Sequence, residues 1–469
     1  MKIVLFDKLD CVKKKLKLAI AWIYLMRFLS IFDPAPHVKP IEDSQEVKRL
    51  YSYWRIRTFY SMYLGYAFYY LSRKSFTFAM PALKADLGFR NDELGILASV
   101  FAVVYGISKF SSGILADRSN PRYFISVGLI LTGIFNICFG MSSTLWAFVL
   151  FWGLNGWFQG FGWPGCTRFL TNWYSQSERG RWWGFTNTSH NVGGAAIPLI
   201  AGYCAYHFGW RSAMYVPGVL CILLGLFLIN RLRDTPQSIG LPSIESHRGD
   251  FSSASKNIED DKPLSTRETL FNYVFSNPYI WMLGVAYFFV YVVRTAVNDW
   301  SALFLVEQKA YTKMQASQVV CWFEIGGFLG SLVSGWCSDW LFKGKRGPVN
   351  LLFTLGTLGA TLALRYVDMP YFWWDSAALF LQGFFVFGPQ MLIGIAASEL
   401  AHKRAAATAN GFVGIFAYLG AAAAGYPLGK ILQEFGWNQY FVVLSACCVI
   451  ASLILLPMWH IRSKPQSSS

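Results

Sequence analysis

Long apolar runs alternate with short polar breaks along almost the whole chain. Six runs lie near residues 57–82, 92–116, 122–142, 145–172, 182–206 and 213–230. A stretch rich in Ser, Asp, Lys and Pro follows at 231–275, and six more runs lie near 278–304, 314–342, 348–366, 371–397, 405–432 and 437–459. About 20 residues of apolar helix cross a hydrocarbon core, so each run is long enough to span a bilayer, some with tilt. The pattern predicts an all-α membrane protein of twelve transmembrane helices, with a polar linker between the sixth and seventh. The expected divisions are a basic N-terminal segment (1–50), a six-helix bundle (51–231), a linker (232–275), a second bundle (276–460) and a polar tail (461–469). Within the first segment, the run Leu18–Phe32 follows Lys13, Lys14, Lys15 and Lys17 and stops at Asp33-Pro34-Ala35-Pro36. It is too short to span comfortably and reads as an interfacial amphipathic helix anchored by its lysines.

The two halves repeat. Gly113-x-x-x-Asp117 ends the second run, and Gly335-x-x-x-Asp339 ends the eighth, 222 residues later. Gly162-Trp163-Pro164 in the fourth run is echoed by Phe387-Gly388-Pro389 in the tenth. Tyr66, Tyr70 and Arg73 share one helical face at spacing i, i+4, i+7, and the same triplet returns 221 residues later as Tyr287, Tyr291 and Arg294. Landmarks at nearly constant spacing imply two pseudo-symmetric six-helix bundles. Repeats of this kind place a substrate site between them, near the middle of the membrane.

Composition agrees with the pattern: 54% of residues are apolar and 14% charged. The formal charge of +15 would otherwise suggest nucleic acid. The basic residues, however, cluster between apolar runs, where the positive-inside rule puts them, and no basic soluble face remains. With a cytoplasmic N-terminus, inner loops receive Arg118, Arg122, Arg179, Arg181, Lys343, Lys345, Arg346, Lys403 and Arg404. The sparser Lys84, Arg90, Arg211, Lys309, Lys313, Arg365 and Lys430 fall outside, so both termini and the linker are expected in the cytoplasm. The nine cysteines show no metal-ligand spacing and read as small packing residues. No phosphate-cradling G-x-x-x-x-G-K-[ST] motif is present, no histidine–acid constellation suggests an enzyme, and no cofactor is implied.

A charge near the bilayer centre is costly, so Arg73 and Arg294 need a reason to be there. A phosphate monoester supplies one: it carries up to two negative charges, and each guanidinium offers a planar donor fork to its oxygens. The competing reading is a structural charge paired with an acid on a neighbouring helix. Tyr66, Tyr70, Tyr287 and Tyr291 flank the arginines and could donate hydroxyls or simply pack. Tyr105 lies one turn before Lys109, whose ammonium could snorkel to water or attract phosphate. Lys74 projects about 100° away from Arg73 and is a further candidate for the substrate phosphate. His190, beside Asn191 and the helix-loosening Gly193-Gly194, could touch phosphate or titrate with it. Asp299 and Glu324 could pair with Arg294 or Lys109 as a gate that phosphate breaks. Asn298, Gln159 and Gln390 are candidates for sugar hydroxyls. Asp117, Arg118 and Asp339 read as latches on the cytoplasmic helix ends, and Glu399, His402 and Lys403 as a solvated loop.

Twelve spans in six-plus-six form, with Gly113-Ile-Leu-Ala-Asp117-Arg118-Ser-Asn-Pro-Arg122 after the second, resemble the major facilitator superfamily. Ser72-Arg73-Lys74, Tyr105-Gly-Ile-Ser-Lys109-Phe110, His190-Asn-Val-Gly-Gly194 and Arg233-Asp-Thr-Pro-Gln237 narrow the resemblance to the organophosphate:phosphate antiporters. Asn298-Asp299-Trp300 and Phe384–Ser398 resemble the bacterial hexose-phosphate sensor and transporter branch. The resemblance covers about residues 50–460. It implies a monomeric carrier of the bacterial inner membrane that exchanges a sugar phosphate, glucose 6-phosphate foremost, for inorganic phosphate. Two alternatives are a receptor that reports hexose phosphate to a membrane histidine kinase and a carrier of glycerol 3-phosphate or another small organophosphate. It also implies that Arg73 and Arg294 hold the substrate phosphate and that Tyr66, Tyr70 and His190 face the cavity.

Overall fold

The computed structural model describes residues 30–249, 271, 274–367, 371–401 and 406–461. All regular structure among these residues is helical. In the first half, α1 runs Ser44–Arg73 and continues as Ser75–Leu87, α2 is Asn91–Arg118 and α3 is Pro121–Met141. Helix α4 runs Leu145–Gln159 and Gly162–Trp173, α5 runs Gln176–Asn187 and Ser189–Phe208, and α6 is Ser212–Arg231. In the second half, α7 is Pro278–Gln308, α8 is Lys313–Trp336 with a wide last turn at Cys337–Leu341, α9 is Arg346–Tyr366 and α10 is Phe372–Leu400. The last helical stretches, Ala406–Ala423 and Tyr426–Leu455, divide at Gly436, whose φ of 77° is non-helical. This yields α11 (406–435) and α12 (437–455).

Eight stretches are long and apolar enough to cross a membrane, and one of them, Thr408–His460, holds both α11 and α12. The three remaining spans are the broken ones, α1, α4 and α5. Twelve spans in two six-helix bundles result. Below, the face on which α1 starts and α12 ends is the inner face, and the opposite one the outer face.

Helix α1 begins well before the apolar run that marks it in the sequence. Asp43 caps it, its carboxylate accepting from the Gln45 N–H at 2.8 Å, and Glu46 lies in the first turn. Residues 44–56 are polar, so hydropathy alone missed them. The candidate interfacial helix Leu18–Phe32 lies outside the described residues except for a short turn at Ser30–Phe32. The start of the linker is docked rather than loose. The Val38 N–H donates to the Gln237 carbonyl at 3.1 Å and the Ile41 N–H to Gly240 at 2.8 Å. The Ala35 N–H donates to the buried Asp234 carboxylate at 2.8 Å, and Tyr51 stacks on His247 with ring centres 4.0 Å apart.

In the second bundle α8 and α10 are in direct backbone contact. A Cβ on Gly326, Gly330 or Gly383 would lie about 2 Å from a carbonyl oxygen of the other helix (Phe380, Phe384 and Phe323 respectively). Small residues let the two backbones approach where lipid offers no hydrophobic drive for association.

The halves meet toward the outer face. Lys84 of α1 pairs with Glu307 of α7 at 2.5 Å, and Trp437 Nε1 donates to the other Glu307 oxygen at 2.9 Å. The Asn91 N–H donates to Gln433 Oε1 at 3.0 Å, and Ser99 Oγ to the Ala422 carbonyl at 2.6 Å. These contacts, with those that Lys74 and Lys109 make across the halves, lie between the depth of Lys109 and the outer face. They tie the bundles together toward that face.

Candidate functional site

The site begins where α1 breaks. Ser72 Oγ donates back to the Tyr69 carbonyl at 3.1 Å and Ser75 Oγ to the Ser72 carbonyl at 2.7 Å. Such back-bonding competes with the helix ladder, and at Lys74 the ladder tightens, with the Thr77 N–H on the Lys74 carbonyl at 3.1 Å. The break turns Arg73 and Lys74 toward the second half. Helix α7 carries Tyr291 and Arg294 without any break, so the repeated triplets differ in backbone while sharing side chains.

Tyr70, Arg73, Lys74, Tyr105, Tyr291, Arg294, Asn298 and Asp299 line one cavity between the bundles, where about 690 Å³, open solvent included, is not filled by protein atoms. The Arg73 guanidinium lies 3.8 Å from the Tyr105 ring centre and 4.9 Å from that of Tyr70. Arg294 lies 4.8 Å from the Phe387 ring and 5.4 Å from Tyr291. Among the described residues neither arginine is in an ion pair, and the Nε of each is buried without a hydrogen-bond partner. Aromatic faces stabilise the guanidinium charge without neutralising it. The cavity therefore holds two guanidinium groups that no carboxylate meets at ion-pair distance, with Asp299 in the same lining, and it can take an anion.

Lys74 is spent differently. It pairs with Glu324 of α8 at 2.6 Å and also donates to Asn298 Oδ1, while Asn298 Nδ2 donates to Asp299 Oδ1 at 2.6 Å. The expected partners of Glu324 were Arg294 or Lys109; the break in α1 brings Lys74 to it instead. Lys109 donates to the Tyr418 hydroxyl at 2.8 Å, a link from α2 to α11. Gly193 and Gly194 do not loosen α5, which is continuous there. A Cβ on Gly193 would lie 2.1 Å from the Ala67 carbonyl and one on Gly194 2.8 Å from Glu324 Cδ, so both serve close approach to α1 and α8.

Seven candidates are not among the residues that line the cavity: Lys109, Glu324, His190, Tyr66, Tyr287, Gln159 and Gln390. Tyr66 packs against Tyr70 and Trp163. The Tyr287 hydroxyl donates to the Gln390 carbonyl at 2.7 Å. Gln159 Nε2 is held by the Tyr69 carbonyl at 3.0 Å and Ser72 Oγ at 2.9 Å, which ties it to the back of α1 rather than to a sugar. The amide oxygen of Gln390 is buried and unpartnered among the described residues. His190 stands beside the wall, 5.3 Å from Tyr70 and 6.4 Å from Phe387 by ring centres, with Nε2 buried and unpartnered among the described residues. Asp339 accepts from Arg346 Nη1 at 2.5 Å, and Arg346 also grips Glu399 at 2.9 Å, so Glu399 is not a solvated loop residue. The side chains of Asp117 and Arg118, like His402 and Lys403, lie outside the described residues.

The cavity also holds residues that the sequence reading missed: Phe76, Thr77, Phe101, Trp152, Thr295 and Tyr418. Thr295 stands in the register of Lys74, and Thr77 in that of Asn298, both at the 221-residue offset. Extending the repeat by one more turn would have found them. Nothing in an apolar run marked Tyr418 or Trp152.

Residues 62–425 match the family model described as Major Facilitator Superfamily. The chain is 56% identical to the probable hexose phosphate transport protein of Chlamydia trachomatis serovar D over 92% of this chain and 96% of that one. It is 49% identical to the membrane sensor protein UhpC of Salmonella typhimurium over 92% and 98% of the two chains. A solved bacterial homologue of the human lysosomal transporter Spinster, inward-facing and unoccupied, superposes with a TM-score of 0.69 at 17% identity, over 87% of this chain and 97% of that one. That likeness speaks to the fold alone. Relatives named for transport and sensing make the chain a membrane-transport-type protein rather than an enzyme. The chain thus belongs to the Major Facilitator Superfamily, in the branch that includes proteins named for hexose-phosphate transport and for membrane sensing.

Proposed function

We propose that this protein is a bacterial inner-membrane carrier that exchanges a sugar phosphate, glucose 6-phosphate foremost, for inorganic phosphate. The observation that carries the reading is the pair Arg73 and Arg294: two guanidinium groups facing one cavity from opposite halves, with no carboxylate partner among the described residues. Extended similarity to a probable hexose phosphate transport protein supports the sugar-phosphate class. Both termini and the inner face would be cytoplasmic.

Two like charges roughly 10 Å apart repel by ~1–2 kcal/mol at an effective dielectric near 20. A phosphoryl group between them replaces that repulsion with two attractions and draws α1 toward α7. Lys74 adds a third cation, which can leave Glu324 and Asn298 for the incoming dianion. That exchange links occupancy of the cavity to a contact spanning the halves, so a ligand stabilises the state in which they close. Inorganic phosphate and a sugar phosphate present the same charged end, so either one triggers rocking, which is the requirement for antiport. Thr77, Thr295, Asn298 and Asp299 offer hydrogen bonds to sugar hydroxyls, while Phe101 and Trp152 supply an apolar wall.

Counterflow of labelled phosphate in proteoliposomes tests the proposal. A carrier loaded with phosphate takes up label, and external glucose 6-phosphate competes more strongly than glycerol 3-phosphate. Binding of glucose 6-phosphate without flux would support the receptor reading, which similarity to a membrane sensor protein keeps in view.

A further inference from the structure

At the inner end of the first bundle, three arginines converge on the C-terminus of α6. Arg57 of α1 donates through Nη2 to the Asn230 carbonyl and to Asn230 Oδ1, both at 3.3 Å. Arg233, just beyond α6, donates through Nη1 to the same Asn230 carbonyl at 3.0 Å and to the Leu232 carbonyl at 2.8 Å. Arg122, in the first turn of α3, donates through Nε to the Ile229 carbonyl at 2.6 Å. Arg57 and Arg233 therefore share one oxygen. They share one indole as well, lying 4.7 Å and 4.9 Å from a Trp54 ring centre.

A helix C-terminus attracts cations, which accounts for one arginine. Its dipole is worth only about half a charge, against three formal charges here. Among the described residues no carboxylate lies within ion-pair distance of any of the three, and Arg57 Nε is buried without a partner. Arg57 Nη1 also donates to the Tyr53 hydroxyl; each guanidinium has five N–H donors, and taken together the three arginines leave most of theirs for another acceptor. Burial, followed by the neighbouring charges of Arg122 and Arg57, pulls Arg233 below the usual arginine range. The strongest nearby charges are thus of the same sign. Tyr53 and Tyr123 border the cluster, and Tyr53 and Ile56 on the same stretch of α1 are exposed. Aromatic rings beside an exposed apolar flank mark the level of a lipid headgroup.

We propose that Arg57, Arg122 and Arg233 form a binding site for the phosphodiester headgroup of an anionic phospholipid, whose acyl chains lie along the Tyr53–Ile56 flank of α1. Basic pockets between helices take such headgroups. The bound lipid would hold α1, α3 and α6 together at the inner face, remote from the central cavity.

The full-length protein, purified and delipidated, is titrated with dioleoyl phosphatidylglycerol or dioleoyl phosphatidylcholine, with retention read by native mass spectrometry and stability by thermal melting. The wild type should retain and be stabilised by the anionic lipid with a preference of about tenfold or more, since each arginine at a membrane surface contributes roughly a fivefold factor. Arg233→Gln alone should lower the preference about fivefold, and the triple variant Arg57→Gln/Arg122→Gln/Arg233→Gln should remove it. Equal retention of the two lipids by wild type overturns the proposal without any variant. An unchanged preference in a triple variant that still melts cooperatively overturns it too. Inorganic phosphate distinguishes a lipid from a free anion. Loss of bound phosphatidylglycerol at millimolar phosphate, in a protein already carrying Arg73→Lys and Arg294→Lys, would assign the cluster to the free anion and overturn the lipid reading.

Discussion

Glu324 shows how much one side chain can hold. Its carboxylate neutralises Lys74 across the two halves at 2.6 Å, in surroundings where both groups are buried. Removing one partner of a buried pair costs about 3–5 kcal/mol, because the other charge is left behind. Glu324→Gln should therefore lower the melting temperature in detergent by several degrees. Inorganic phosphate should restore more of that loss than it adds to wild type, because it supplies the missing anion. An unchanged melting temperature would mean that Lys74 is satisfied without Glu324. The sequence marked Glu324 as a gating acid but not its partner, since Lys74 points away from Arg73 on an ideal helix. Only the break after Arg73, which no proline or glycine announces, brings the ammonium across.

Among elements, the docked N-terminal strap is the part least legible in the sequence. Residues 35–41 lie along the start of the linker through backbone hydrogen bonds that any sequence could make, and only Asp234 gives the contact a chemical signature. Burial pushes the Asp234 carboxyl above the usual aspartate range, against the Ala35 hydrogen bond and the charges of Arg168 and His37. The folded protein thus binds this proton more tightly than the unfolded chain does. Its contribution to stability is full below the ordinary carboxylate range and declines as pH rises through the folded pKa. Asp234→Asn keeps an acceptor for Ala35 and removes the titration. Between about pH 4 and 7, wild type should lose melting temperature relative to this variant as pH rises; parallel curves would contradict the assignment.

The outer seam was equally silent in the sequence, because its glycines sit in runs already rich in glycine. A Cβ on Gly95 would lie 2.7 Å from the Gly425 carbonyl and 2.9 Å from Tyr426 Cα, backbone atoms that cannot swing aside. Gly95→Leu should wedge α2 from α11, expose the seam to an external thiol reagent through a cysteine at Ser99, and slow exchange at least about tenfold. Unaltered labelling would show that the seam accommodates the side chain.

At the scale of the whole molecule, twelve spans and the division into two bundles were legible because hydropathy and duplication are global signals that average over local irregularity. The broken backbones of α1, α4 and α5 were not, for the length and apolarity of each run say nothing of a kink within it. The same duplication pointed to Arg73 and Arg294 and brought Tyr70 and Tyr291 with them. It overreached at Tyr66 and Tyr287, where the helix face turns from the cavity into the bundle. Aromatic residues so common in this chain carry little positional information of their own. Contacts toward the outer face place the two arginines in a cavity between the halves.

The most direct test is labelled-phosphate counterflow in proteoliposomes carrying Arg73→Lys or Arg294→Lys. Lysine keeps the charge and loses the planar fork, and a lost charge-assisted hydrogen bond is worth about 1.5–3 kcal/mol. Each variant should melt cooperatively and yet exchange phosphate at least about tenfold more slowly than wild type. Undiminished exchange by either variant would contradict the claim that paired guanidinium groups clasp the phosphoryl group.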